Sequence, residues 1–255
     1  MRFESSQRVV YAKNPLVEVI CQLRFQRILR IEAEPPAAFQ ESIRAAYPKL
    51  RELHTLRIPD ELAQLIGMDV GASSQRSFEF TDPTDTWKVS LTSGFVAVST
   101  TAYVRWEEFS RKLTEVMDAL GASYGLTSFT RIGLRYRDVL RRSTVGLLDV
   151  PWTDLLKPEL LGELKLVDFA SSVRESHRQI VLSLDYDDAA VRFAHGLMND
   201  EQEQCYWIDA DFARDHETER SDAGPILDKF NSESGRLFRW CITQRLHDAM
   251  GPAVP

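Results

Sequence analysis

Residues 16–28, LVEVICQLRFQRI, alternate with a period of two. Val17, Val19, Cys21, Leu23 and Phe25 fall on one side, and Glu18, Gln22, Arg24 and Gln26 on the other. Successive side chains of an extended chain point to opposite faces, so the stretch predicts a half-buried strand. After Pro35-Pro36, the helical spacing of Phe39, Ile43 and Tyr47 predicts a short amphipathic helix stopped at Pro48. Residues 50–76 carry little pattern beyond a short helix near 59–66. Then come three strands, Ser77–Thr81, Trp87–Leu91 and Phe95–Thr101, with turns at Asp82-Pro83-Thr84-Asp85 and Ser93-Gly94. Trp106, Phe109, Leu113, Val116, Met117 and Leu120 form the apolar stripe of a long helix, with Gly121 placed as its terminator.

Leu126–Leu140 reads as a long strand, and 141–164, with Pro151, Pro158 and Gly162, as the link between two halves, holding one or two short helical turns. The second half repeats the theme. Strands are expected near 166–174, 179–186, 189–197 and 204–212, with turns at Asp187-Asp188 and Asn199-Asp200. Gly224-Pro225 leads toward a last helix, whose face is Leu237, Cys241, Ile242, Leu246 and Ala249 and whose stop is Gly251-Pro252. Strands in runs, each run closed by a helix, argue for an α+β fold with a mainly antiparallel sheet built from two halves, each a strand meander plus a long helix. Strict β-α-β alternation is missing, which disfavours Rossmann and barrel architectures. The expected halves are 1–145 and 146–255, packed as one globular unit.

With 255 residues, 44% of them hydrophobic and 27% charged, the chain has ordinary globular composition and length enough for a sizeable core. No apolar run approaches the roughly 18 residues of a membrane span, and residues 1–10 lack a signal-peptide apolar region. The expectation is a cytoplasmic protein. Cys21, Cys205 and Cys241 are odd in number and widely spaced, without C-x-x-C or Cys/His ligand spacing, so they read as small buried apolar residues. The net charge of −7 conceals polarity: between Asp185 and Asp222 twelve acids face three arginines, whereas Arg131–Arg142 holds five arginines and one acid, Asp138. Such a distribution suits a charged partner or self-association.

Three motifs carry chemistry. Gly121-Ala122-Ser123-Tyr124-Gly125 matches G-x-S-x-G, but a nucleophile elbow runs from strand to helix, and here a helix precedes and a strand follows. Asp209 and Asp211, two apart in YWIDADF, point to one side of a strand; with Asp185, or His216, they would supply oxygen-rich ligands for Mg²⁺ or Mn²⁺ and a metal-activated water. Arg131, Arg135 and Arg137 share a strand face with Gly133, a platform for an anion or a partner, or the counterpart of acids on a neighbouring strand. The negative balance speaks against nucleic acid.

Asn14-Pro15-Leu16-Val17-Glu18-Val19, Arg131-Ile132-Gly133-Leu134-Arg135-Tyr136 and the terminal helix around Phe238-Arg239-Trp240-Cys241-Ile242-Thr243 together resemble a sporadically distributed family of uncharacterised bacterial proteins of similar length. The resemblance runs from residue 11 to about residue 250 and brings no catalytic residues with it. It implies a defence or toxin–antitoxin association. The leading expectation is a non-enzymatic binding or regulatory protein without cofactor, acting through a protein partner encoded nearby. The alternatives are a metal-dependent hydrolase or nuclease on Asp185, Asp209 and Asp211, and a nucleotide- or anion-binding module on the arginines.

Overall fold

A computed structural model describes residues 8–54, 76–166, 168, 172–186, 188–200 and 203–253. Its strands are β1 (Val10–Tyr11), β2 (Leu16–Arg24), β3 (Lys49–His54), β4 (Arg76–Thr81), β5 (Trp87–Leu91), β6 (Phe95–Thr100), β7 (Ser128–Phe129), β8 (Arg131–Leu140), β9 (Arg178–Ser183), β10 (Ala189–Asn199), β11 (Gln204–Arg214), β12 (Thr218–Glu219) and β13 (Pro252–Ala253). The helices are α1 (Leu29–Ala33), α2 (Ala37–Ile43), α3 (Trp106–Tyr124), α4 (Arg142–Val145), α5 (Pro158–Leu161), α6 (Ala223–Cys241) and α7 (Gln244–Ala249). The fold is α+β, as the grouping of strands predicts.

Nine strands form one antiparallel sheet in the order β3-β4-β5-β6-β2-β8-β11-β10-β9. The strands β2 and β8 pair at its centre, with Cys21 opposite Leu134 and Leu23 opposite Ile132. The meander strands β6 and β11 return to lie beside β2 and β8 respectively, and a 19-residue helix follows each. The two halves thus share one continuous sheet and one core. Val19, Cys21, Leu23, Phe78, Val98, Ile132, Leu134 and Phe212 meet Phe109, Val116 and Leu120 of α3 and Ile226, Leu227 and Phe230 of α6. The long helices touch where Trp106 Nε1 donates to Asp228 Oδ1 at 2.6 Å.

Several boundaries differ from the pattern-based expectation, each for a local reason. The register of β2 against β8 slips between Leu16 and Glu18, so Val17 is half-buried and leaves the core row that Val19 begins. Helix α3 runs past Gly121, whose carbonyl accepts the N–H of Gly125; Gly125, at φ 68°, is the left-handed terminator. The long strand expected at 126–140 is broken at Thr130, because β7 leaves the main sheet to pair with β12. The last helix is two: α6 ends at Cys241, and Thr243 caps α7 by accepting from the Leu246 N–H. Gly224-Pro225 lies inside the first turn of α6, where proline's missing N–H costs nothing.

Lys49–His54, in the patternless stretch, pairs with β4 as the edge strand β3, and α1 occupies 29–33 where the alternation fades. Of the strand expected over 166–174, residues 172–174 are irregular and 167 and 169–171 lie outside the described residues, as do the helix near 59–66 and Asp187. All three cysteines are free and buried. No helix among the described residues is long and apolar enough to cross a membrane.

Candidate functional site

The central strand β8 presents a different chemistry on each face. Arg131, Arg135 and Arg137 do share the face away from the helices, as alternation requires. On that face the antiparallel register sets Asp211 opposite Arg135 and Asp209 opposite Arg137, and on the other flank Glu18 opposite Arg137. Arg135 grips Asp209 with two hydrogen bonds, of 2.7 and 2.5 Å. Arg131 reaches Asp211 at 3.1 Å and Asp215 at 3.2 Å, and Arg137 reaches Glu18 at 2.7 Å. The Arg131 guanidinium also fills the space over Gly133, where a β-carbon would collide with it. The arginine row and the aspartate pair, read from the sequence as two candidate sites, are thus counterparts in one ion-pair lattice across three strands.

Asp185 stands beyond the end of β9, two strands away from β11 in the sheet order, and the His216 ring faces Asp188 at 3.9 Å. Among the described residues no group of three or more His, Cys, Asp or Glu side chains is arranged to hold a metal ion. Ser123 lies in the last turn of α3, its carbonyl accepting from Arg30, and not at the strand-to-helix elbow a nucleophile needs.

The helix-facing side of β8 continues Ile132, Leu134 and Tyr136 with Asp138, an acid in an apolar row and only 8% exposed. Asp138 and Tyr136 line a cavity of about 360 Å³ closed by the segment 8–16, the approach to α3 and the middle of α6. The Tyr136 hydroxyl donates to Asn231 Oδ1 at 2.9 Å, and the Tyr103 ring stands edge-on to Tyr136 at 6.0 Å. Tyr11 completes the wall, its hydroxyl 2.8 Å from His247 Nδ1. Arg8, Arg105, Arg236 and Arg239 also line this cavity. Arg8 is held by Glu107 at 2.6 Å and Arg236 by Glu233 at 2.5 Å, whereas Arg105 makes no ion pair among the described residues.

Burial controls protonation here. It pushes the Asp138 carboxyl up to about 8, with the charge of Asp209 on the next strand adding to the effect. Burial likewise raises Tyr11 and Tyr103 to about 12. At neutral pH the cavity therefore offers a protonated carboxyl and neutral phenols inside, with arginine cations around them.

Sequence reasoning passed over Asp138 by counting it only as charge against the arginines. The signal was its parity: two residues beyond Tyr136, it shares the apolar side of the strand. Tyr103, Asn231 and Tyr11 come from elements far apart in the chain and carry no comparable mark.

Fold and cavity together define a class: an α+β protein with one large antiparallel sheet, a salt-bridged outer face and, on the helix side of its central strands, a pocket that holds a buried acid and tyrosine hydroxyls. No known family model and no curated protein matches the chain.

Proposed function

We propose that the protein is a non-enzymatic binding protein whose ligand is a small polar anion held in the Asp138 cavity. One observation carries the reading: a buried acid on an otherwise apolar strand face opens onto a cavity surrounded by four arginines. Buried polar groups are costly unless they are hydrogen-bonded, and a protonated carboxyl is a donor awaiting an acceptor. Guanidinium groups favour phosphate or carboxylate, and the volume is within the roughly 300–1,000 Å³ usual for small-molecule sites. The ligand is thus a phosphorylated or carboxylated molecule of nucleotide size, its anionic group at the arginines and a neutral acceptor at Asp138. This takes up the anion-binding alternative, not the leading expectation of a protein partner, and moves it from Arg131, Arg135 and Arg137 to Arg8, Arg105, Arg236 and Arg239. The test is thermal unfolding against inorganic phosphate, nucleoside mono- and diphosphates and dicarboxylates. A ligand at one hundred times its Kd stabilises the native state by about 2.7 kcal/mol; a flat response across the panel would sink the proposal.

A second reading, binding of a protein partner, rests on the sheet edge. The strand β9 pairs only with β10 among the described residues, and Ile180 and Val181 are 50% and 61% exposed. An apolar edge strand is a template for an added strand from another chain. Under this reading Val181→Pro, which removes an edge N–H, abolishes recovery of a partner by the folded protein; undiminished recovery removes its support.

A further inference from the structure

The strand β9 ends the nine-stranded sheet, with β10 as its neighbour among the described residues. Two hydrogen bonds that continue the ladder past its ends fix which backbone groups face outward. The Leu184 N–H donates to the Ala189 carbonyl at 2.8 Å, and the Ser176 N–H to the Leu197 carbonyl at 3.1 Å. Both donors are even-numbered, and along an extended strand successive residues turn their N–H and C=O groups to opposite sides. Gln179 and Val181 therefore aim theirs away from β10, at the open edge. Between them stands Ile180, opposite the core residue Phe193 in the ladder and yet 50% exposed.

The two edges of the sheet are protected unequally. The strand β3 carries Lys49, Arg51 and Glu52 among its six residues, charges that discourage pairing with another chain. Gln179–Ser183 of β9 carries none, and Arg178 at its start is engaged by Glu163. With no charge to match, this edge makes no demand for an acidic or a basic segment. It calls for an extended, uncharged strand rich in branched apolar side chains, which is what β9 itself is.

Resting on the second reading above, in which β9 templates an added strand, we infer that this strand is β9 of a second copy of the chain, antiparallel about a two-fold axis at Ile180. Centred there, Gln179 of each copy lies opposite Val181 of the other, and each pair exchanges both backbone N–H···O bonds. The outward groups of these two residues thus satisfy one another reciprocally. The two Ile180 side chains meet at the axis as a non-hydrogen-bonded pair, the position where facing side chains stand closest. They carry the row of Phe193 from one core to the other, and one sheet runs through both copies. A ladder this short buries little surface, so the dimer is weak and reversible.

Sedimentation of the purified protein from micromolar to millimolar concentration is expected to show a reversible monomer–dimer equilibrium. Ile180→Lys, which sets two cations against each other at the axis, removes the concentration dependence, with folding checked by circular dichroism. Ile180→Cys links two copies under oxidised glutathione, because Cα atoms about 4.5 Å apart in such a pair are within reach of a disulfide. The wild type, whose cysteines are buried, does not link, and Leu29→Cys, on the exposed side of α1, links only at the slow rate of random collision. A monomer at every concentration would overturn the inference; if Val181→Pro still abolished recovery of a different protein, the edge-strand reading would outlive it. Dimers that persist in folded Ile180→Lys, or Ile180→Cys linking no faster than Leu29→Cys, would overturn it as well. The wild-type series and the cross-linking decide even where the lysine variant fails to fold.

Discussion

Replacing Asp138 by Asn removes the titration of a buried acid while keeping its size, and stability against pH then reads out the environment of that side chain. Its carboxyl titrates at about 8 in the folded protein, mainly through burial, against about 3.9 when unfolded. The folded state therefore holds a proton that the unfolded state releases between these values. Stability is greatest below the unfolded value, falls by about 1.4 kcal/mol per pH unit as pH rises, and levels off above the folded value. The Asn variant has no such slope. Relative to wild type it gains about 3 to 4 kcal/mol of stability between pH 5 and pH 8. Urea denaturation of both proteins at intervals across this range measures the difference directly, and subtracting the curves cancels every other titrating group. A difference that stays flat would show that Asp138 is ionised in the fold, and the argument for a neutral donor in the cavity would fail with it.

Three further outcomes are expected. His195, stacked between Phe193 and Tyr206 with its Nδ1 2.6 Å from the Tyr206 hydroxyl, is lowered by burial to about 4. It contributes stability that is full above about pH 6.5 and is lost toward pH 4, about 3 kcal/mol in all; His195→Gln flattens this acid limb, and an unchanged limb in denaturation curves would refute the assignment. A β-carbon at Gly196 would collide with the backbone carbonyl of Ser176, which cannot swing aside, so Gly196→Ala costs about 1–3 kcal/mol in the same assay, and a neutral effect would mean that this approach is looser than described. Arg135→Met leaves the half-buried Asp209 without its two-pronged partner and destabilises by about 1–3 kcal/mol, while Arg135→Met combined with Asp209→Leu recovers part of that loss; additive effects in the double-mutant cycle would show the pair to be uncoupled.

The pH terms of Asp138 and His195 have opposite signs below about pH 6.5, where one gains stability on acidification and the other loses it. Wild type is therefore nearly level in that window as far as these two groups decide it. Its slope appears between pH 6.5 and 8, where Asp138 alone of the two is titrating.

The secondary structure was legible wherever one face of an element met the core and the other met water. The meander at 76–100, the stripe of α3 and the strands β10 and β11 all follow from period-two or period-3.6 placement of Phe, Val, Leu and Ile, because burial of alternate or stacked side chains imposes that spacing. Legibility failed where the pattern has no such face. The strand β3 lies at a sheet edge, with Leu50 and Leu53 partly exposed, and its alternation is blurred accordingly. The helix stops at Gly121 and Gly251 were read from residue type, yet the end of α3 depends on which carbonyl the left-handed residue's N–H can reach, and that placed it at Gly125.

From the sequence alone came the α+β class and the fact that Arg131, Arg135 and Arg137 share a face with one another, as Asp209 and Asp211 do. These are statements about neighbours along one chain, set by backbone period and hydrophobic burial. Only the tertiary structure decided that β2 pairs with β8 at the centre of one continuous sheet, and that β8 lies beside β11 in the register that puts the arginines on the aspartates. It also decided that Asp138 faces a cavity walled by residues from 8–16, 103–105 and 231–239. Strand order and register are contacts between segments more than 60 residues apart, selected by the packing of the whole core, and no local period encodes them.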